Sequence, residues 1–262
     1  MPAPLITLTT DFGLSDHYVG AMKGVILSIC PRARIVDISH GVGAFEIAEA
    51  AFTLSQAYRY FPRGAVHVVV VDPGVGTSRR PILAQAAGQT FIAPDNGVLS
   101  MIYAREKHKV RAISSVRYFL QPVSNTFHGR DIFAPVAAHL AGGIAPARFG
   151  TPIADYLRLD FDKPARTGRR TWTGAILKVD RFGNLVTNFS AADFPDLDRR
   201  TFEMAVGPQR ISVFVRNYAE RGRGEAFVIA GSAGYYEISV GQASAAKLLG
   251  CAAGAPLELT LG

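Results

Sequence analysis

The apolar positions of this chain fall into short β-type runs separated by stretches of helical spacing. Residues 5–9 (LITLT) read as a strand that runs into Asp11 of the sequence TTDFG. Val19, Met22, Ile26 and Ile29 then recur at helical spacing, which predicts a helix from Ser15, capped by its hydroxyl and stopped at Pro31. Residues 33–38 form the next predicted strand and leave Asp37 and His40 near its end. Ile47, Ala50, Leu54, Ala57 and Phe61 mark a second helix over residues 46–61. The valine-rich run at residues 66–71 is too short for a helix or a membrane span and reads as a strand buried on both faces. It ends on a carboxylate, Asp72, where Pro73, Gly74 and Gly76 turn the backbone away.

This alternation predicts an α/β N-terminal domain, residues 1–160, with a mostly parallel central sheet. Residues 82–86 and 90–93 suggest a hairpin or an edge elaboration, residues 98–104 a short helix, 109–113 a strand and 130–140 a further helix. Between about residues 150 and 171 prolines, Gly168 and basic residues replace the helical periodicity, which sets the domain boundary. Residues 171–262 carry six predicted strands (174–179, 185–189, 202–206, 226–230, 235–240 and 256–261) and one helix at 243–249, the pattern of an all-β C-terminal barrel or sandwich.

Composition narrows the class. With 262 residues, 48% hydrophobic and 19% charged, the chain has ample material for a core and no tendency to disorder. No apolar stretch approaches a membrane span and no signal-peptide pattern opens the chain, so a soluble, cytoplasmic protein is expected, without a membrane partner. Cys30 and Cys251 lie far apart with no His or Cys at ligand spacing, which argues against a disulfide framework or a zinc site. The net charge of +7 raises nucleic acid as a partner, but the Lys and Arg residues are scattered and no nucleic-acid motif accompanies them; a solvated basic surface accounts for the charge.

Four loops concentrate chemistry: Asp11 in TTDFG, Asp72 and Arg79 in DPGVGTSRR, Asp95-Asn96 in PDNG, and His128 in FHGRD. Taken singly, Asp72 reads as a turn cap, Arg79 as a salt-bridge partner and His128 as a satisfied structural histidine. In a parallel sheet, however, loops after the strands converge on one edge, where ligands bind. An Asp, an Arg and a His brought together there suit the activation of water or another small nucleophile. There is no Walker A loop, no metal cluster, and Gly74-Val75-Gly76 lacks the third glycine of a dinucleotide fingerprint.

At these residues the chain resembles the S-adenosyl-L-methionine hydroxide adenosyltransferases, relatives of the fluorinating and chlorinating adenosyl enzymes. The matching stretches are TTDFG (9–13), VDPGVGT (71–77), PDNG (94–97), TFHGRDIFAP (126–135), DRFGNLVTN (180–188) and GSAGYYEIS (231–239), six in the family's order along nearly the whole chain. The resemblance implies hydrolysis of S-adenosyl-L-methionine to adenosine and L-methionine by attack of water on the 5′ carbon. It also implies a homotrimer whose sites lie between subunits, and S-adenosyl-L-methionine as substrate, with no cofactor. By the same resemblance Asp72, Arg79 and His128 form the catalytic trio, Asp11 holds the ribose hydroxyls, and Asp180, Phe182, Asn184 and Ser232 contact methionine and adenine. Halogenating relatives carry a tyrosine where this chain has His128 and fluorinases add an insertion after the position of Thr90, so the resemblance favours water over halide; Ala233 stands where the fluorinase has an arginine. Whether His128 or Asp72 takes the water proton stays open at this level. The alternatives are halide-dependent adenosyl transfer and a non-catalytic S-adenosylmethionine or adenosine sensor.

Overall fold

Strand β1 (Leu5–Thr10), helix α1 (Tyr18–Ile29), strand β2 (Arg34–Ser39), helix α2 (Ile47–Ala57) and strand β3 (Val66–Val70) open the chain in the expected alternation. The computed structural model describes residues 3–161 and 163–262, and the chain divides into two compact units, Met1–Leu159 and Asp160–Gly262. β1 pairs in parallel with both β2 and β3. Every residue of β3 is buried, and its side chains alternate between two cores. Val66, Val68 and Val70 pack with Ile6, Leu8, Met22 and Phe133, whereas Val69 and Val71 pack with Ala50, Leu54 and Ile102. Each valine so buried contributes roughly 1.5 kcal/mol or more, which fixes the strand that carries Asp72.

α1 begins at Tyr18, later than the predicted Ser15, and its N-cap His17 makes no side-chain cap. The delay has a local cause: Gly13 sits at a φ of 66° and its N–H donates to the His40 carbonyl at 2.8 Å, so the chain is held in a turn where a helix would have started.

β4 (Pro81–Ala86) and β5 (Gln89–Pro94) form an antiparallel hairpin closed by Ala87 and Gly88, both at positive φ, the signature of a tight two-residue turn. The hairpin is not at an edge, because β5 pairs in parallel with β3. Helix α3 (Ser100–Arg105), strand β6 (His108–Ala112), helix α4 (Ala134–Ala141) and strand β7 (Pro152–Ile153) complete the unit. Among the described residues the sheet has seven strands in the order β2-β1-β3-β5-β4-β6-β7. The expectation of a mostly parallel sheet is therefore corrected to a mixed one. It is parallel from β2 to β5 and antiparallel from β5 to β7, since a two-residue turn reverses the chain and the following strands add to the reversed one. Ahead of α4, Gly129–Phe133 forms a π-helical turn where a plain α-helix was expected.

The second unit contains β8 (Ala165–Arg166), β9 (Thr171–Val179), β10 (Leu185–Ser190), β11 (Phe202–Val206), β12 (Gln209–Ile211), β13 (Phe214–Val215), β14 (Ala226–Ala230), β15 (Tyr235–Val240), helix α5 (Ala245–Leu249) and β16 (Pro256–Leu261). Among the described residues they form one nine-stranded sheet, ordered β12-β11-β16-β9-β10-β15-β14-β13, with β8 beside β9. The sheet curls into a half-barrel around Phe189, Phe202, Met204, Val228 and Leu259. The expected barrel is met only in part: β12 and β13, three and two residues long, end the sheet without pairing to each other among the described residues. No described helix is long and apolar enough to cross a membrane.

Candidate active site

The central loop starts where β3 ends. Because β5 lies between β3 and β4 in the sheet, the chain from Val71 to Arg80 must arch over the end of β5 to enter β4. The residues that follow β5 hold both feet of the arch: Asn96 Nδ2 donates to the Val71 carbonyl at 2.8 Å, and the Asp95 N–H donates to the Arg80 carbonyl at 2.9 Å. Arg80 itself pairs with Asp95 and Asp155. The PDNG sequence thus builds the loop and lines neither cavity described below.

Inside the arch, Val75 N–H donates to the Asp72 carbonyl at 3.2 Å and the Thr77 hydroxyl donates to the Gly74 carbonyl at 2.7 Å. These turns bring Arg79 back over Asp72. Arg79 Nε donates to Asp72 Oδ1 at 2.9 Å and Oδ2 at 3.0 Å, Nη2 reaches the same carboxylate, and the two side chains are only 9% and 4% exposed. Nη2 also lies 2.9 Å from His128 Nδ1, and the guanidinium sits 5.3 Å from the Phe133 ring centroid. Nη1 is buried with no hydrogen-bond partner among the described residues. The three predicted catalytic residues therefore meet, with one buried guanidinium N–H group still available.

His128 is delivered by the segment that precedes the π turn. Fully buried Asp131 shapes that segment by accepting from Ser124 N–H at 2.8 Å and from Arg130 Nε at 2.6 Å. Gly76, at a φ of 77°, approaches it so closely that an added Cβ would lie 2.2 Å from the Asn125 carbonyl oxygen. Burial, and then the positive charge of Arg79, push the His128 pKa below the ordinary histidine value of 6.5. Since arginine can only donate, its contact makes Nδ1 the acceptor and puts the proton of neutral His128 on Nε2.

Asp72 and His128 line a cavity of about 390 Å³ together with Asp11, Phe12, Tyr18, Phe45 and Phe127. Asp11 Oδ2 accepts from Phe45 N–H at 2.9 Å. Burial raises the Asp11 pKa, and the neighbouring Asp72 charge adds to the rise. Phe45, 68% exposed and held at a φ of 69°, is a site residue that sequence reasoning missed, because a lone aromatic in a loop carries no pattern.

The second unit has its own cavity, of about 680 Å³, and it brings together Asp180, Phe182, Asn184 and Ser232. The Asp180 carboxylate accepts from Phe182 N–H at 2.9 Å, Asn184 N–H at 2.8 Å and Asn184 Nδ2 at 2.9 Å, so it shapes the loop that presents exposed Phe182. Two further lining residues were not singled out from the sequence, Tyr218 and Glu237. The Tyr218 hydroxyl donates to Glu237 Oε2 at 3.0 Å. Burial raises the pKa of both, that of Tyr218 to about 12.

A mixed α/β unit bearing a preformed Asp–Arg–His trio, followed by a half-barrel unit with its own polar cavity, defines a two-domain α/β protein. Residues 6–150 match the SAM hydroxide adenosyltransferase N-terminal domain and residues 174–258 match the C-terminal domain of the same family, to which the chain therefore belongs. It is 37% identical to an (R)-S-adenosyl-L-methionine hydrolase of Salinispora tropica, over 100% of this chain and 99% of that protein. It is 34% identical to one of Thermus thermophilus over 95% and 97%. A fluorinase of Actinoplanes sp. matches at 30% over 74% of this chain and 75% of its own. Among solved structures, an uncharacterized conserved protein from Thermotoga maritima superposes with a TM-score of 0.88 at 38% identity, covering 97% of this chain and 99% of that one.

Proposed function

We propose that this protein hydrolyses S-adenosyl-L-methionine to adenosine and L-methionine. The observation that carries the reading is the buried Arg79 guanidinium, gripped by Asp72 and touching His128, two residues that line a cavity together with Asp11. The relatives' names specify the (R) form at sulfur, and we carry that preference to this chain.

In this reaction water forms the new C5′–O bond as the C5′–S bond breaks, the sulfonium leaves as a neutral thioether, and one proton is released. No general acid is needed. The demand is for geometry, since in-line placement of a weak nucleophile supplies up to roughly 7–11 kcal/mol. Arg79 Nη1 is the donor that steadies the attacking oxygen. His128 Nδ1 is engaged by Arg79, which leaves the remaining Asp72 lone pairs to receive the proton and His128 Nε2–H to donate to the same oxygen. Asp11 holds the ribose hydroxyls, while Asp180, Phe182, Asn184 and Ser232 contact adenine and methionine. The same reading retains the homotrimer with sites between subunits and a cytoplasmic location.

Incubation of the purified protein with S-adenosyl-L-methionine should yield adenosine and methionine in equal amounts by chromatography. Binding without turnover would favour a sensor, and 5′-chloroadenosine in excess chloride would favour halide transfer.

A further inference from the structure

Behind the TTDFG loop a polar chain runs from buried Thr10 and His40 out to Asp37 and Lys23 at the surface. His40 is 6% exposed. Its Nδ1 lies 2.8 Å from Thr10 Oγ1 and its Nε2 lies 3.1 Å from Asp37 Oδ1. Asp37 Oδ2 in turn accepts from Lys23 Nζ at 2.6 Å. The Nε2–Asp37 contact is electrostatic, without hydrogen-bond geometry among the described residues, whereas the links from His40 to Thr10 and from Thr10 to Phe12 are hydrogen bonds with a defined direction. The Asp37 carboxylate favours the ring proton on Nε2, so Nδ1 accepts the Thr10 hydroxyl proton, and the Thr10 oxygen is turned to accept from Phe12 N–H at 3.2 Å. On the other side of the turn, Gly13 N–H donates to the His40 carbonyl at 2.8 Å. Asp11 thus sits between two residues that are both tied to His40, and its carboxylate is aimed by the N–H of Phe45, five residues after His40.

We infer that Asp37, His40 and Thr10 are positioning residues for Asp11: they fix the turn that aims its carboxylate into the cavity, and so set the selectivity for a ribose with both hydroxyls. Thr10 is fully buried and its oxygen is already hydrogen-bonded, so the arrangement does not serve a threonine nucleophile. The inference rests on the proposed role of Asp11 as ribose ligand.

The test is the ratio of affinities for adenosine and 2′-deoxyadenosine, measured by calorimetry on the intact protein. One missing hydroxyl opposite a carboxylate should lower affinity by about tenfold or more. Asp11→Ala should bring the ratio close to unity. Thr10→Val, which keeps the buried shape and removes the hydroxyl, should reduce it to within about threefold. In the double variant Thr10→Val with Asp11→Ala, no further loss of the ratio is expected. Thr10→Ser should retain the ratio and His40→Asn should lower it; this pair carries the test should Thr10→Val fail to fold. Equal weakening of both nucleosides with the ratio intact would overturn the inference while leaving the hydrolase reading in place. If the unmodified protein binds neither nucleoside, the reading of the site falls and the inference falls with it.

Discussion

Arg79 Nη2 stands 2.9 Å from His128 Nδ1 while the same guanidinium grips Asp72. The histidine is therefore tied to the carboxylate through a cation, not by a direct hydrogen bond. This differs from a hydrolytic triad, in which the acid orients the base directly and the base abstracts through its other nitrogen.

Replacing His128 with alanine should lower kcat by about a hundredfold or more while changing the KM for S-adenosyl-L-methionine little, because in the proposed mechanism the ring donates to the attacking oxygen and not to the bound substrate. His128→Gln, whose amide oxygen can accept from Arg79, should recover part of the loss. Steady-state kinetics of the two variants decide; an unchanged kcat in the alanine variant removes His128 from the mechanism.

The direction of the His128 shift predicts the pH profile. Burial and the Arg79 charge lower its pKa from 6.5, so Nδ1 remains an acceptor throughout the neutral range and is protonated only at lower pH, where the contact with Arg79 is lost. kcat should be flat around neutrality and fall on the acid side of the ordinary histidine value. The same profile in His128→Gln should lack that limb, and a limb centred above pH 7 would contradict the assignment.

Gly76 ties the arch to the His128 segment. An alanine there meets both a left-handed φ of 77° and the Asn125 carbonyl at 2.2 Å. We expect Gly76→Ala to cost at least about 2 kcal/mol in stability and to reduce kcat, although Gly76 bears no chemistry. Chemical denaturation and turnover should move together; a variant that loses neither would show that the two loops are held apart by other contacts.

His67 bears on stability alone. It lies fully buried in β3, between Thr7 Oγ1 at 2.7 Å and Gln89 Oε1 at 3.2 Å, and burial lowers its pKa from 6.5 to about 4. The unfolded chain then binds a proton that the folded one refuses. The stabilising contribution is complete above pH 6.5 and declines as pH falls toward 4, by about 3 kcal/mol in total. Urea midpoints of the unmodified protein and His67→Gln should diverge over this window, and parallel curves would refute the coupling.

Much of the architecture was legible because periodicity is a local property. Residues 202–206, 226–230, 235–240 and 256–261 are strands with the predicted bounds, each a compact run bounded by turn residues. What could not be read was spatial order: nothing in residues 81–94 says that β5 inserts beside β3 and displaces β4 outward, since strand pairing is set by distant partners. The proposed trio was legible as two polar loops, DPGVGTSRR with Asp72 and Arg79 and FHGRD with His128, but its wiring was not. The role of PDNG as a brace, the aim of Phe45 N–H at Asp11 and the Asp37–His40–Thr10 chain all depend on atoms far apart in sequence.

The turn at Ala87 and Gly88 lies at the opposite end of the sheet from the chemistry, yet it sets where Asp95 and Asn96 emerge, and these residues pin the two feet of the arch. Lengthening that turn by one residue would slide β5 along its neighbours and reverse which side chains face each core, so the arch would lose its footing without a single substitution in it. The hairpin thus works as a ruler for the site, and the span it measures should resist change more than its exposed tip suggests.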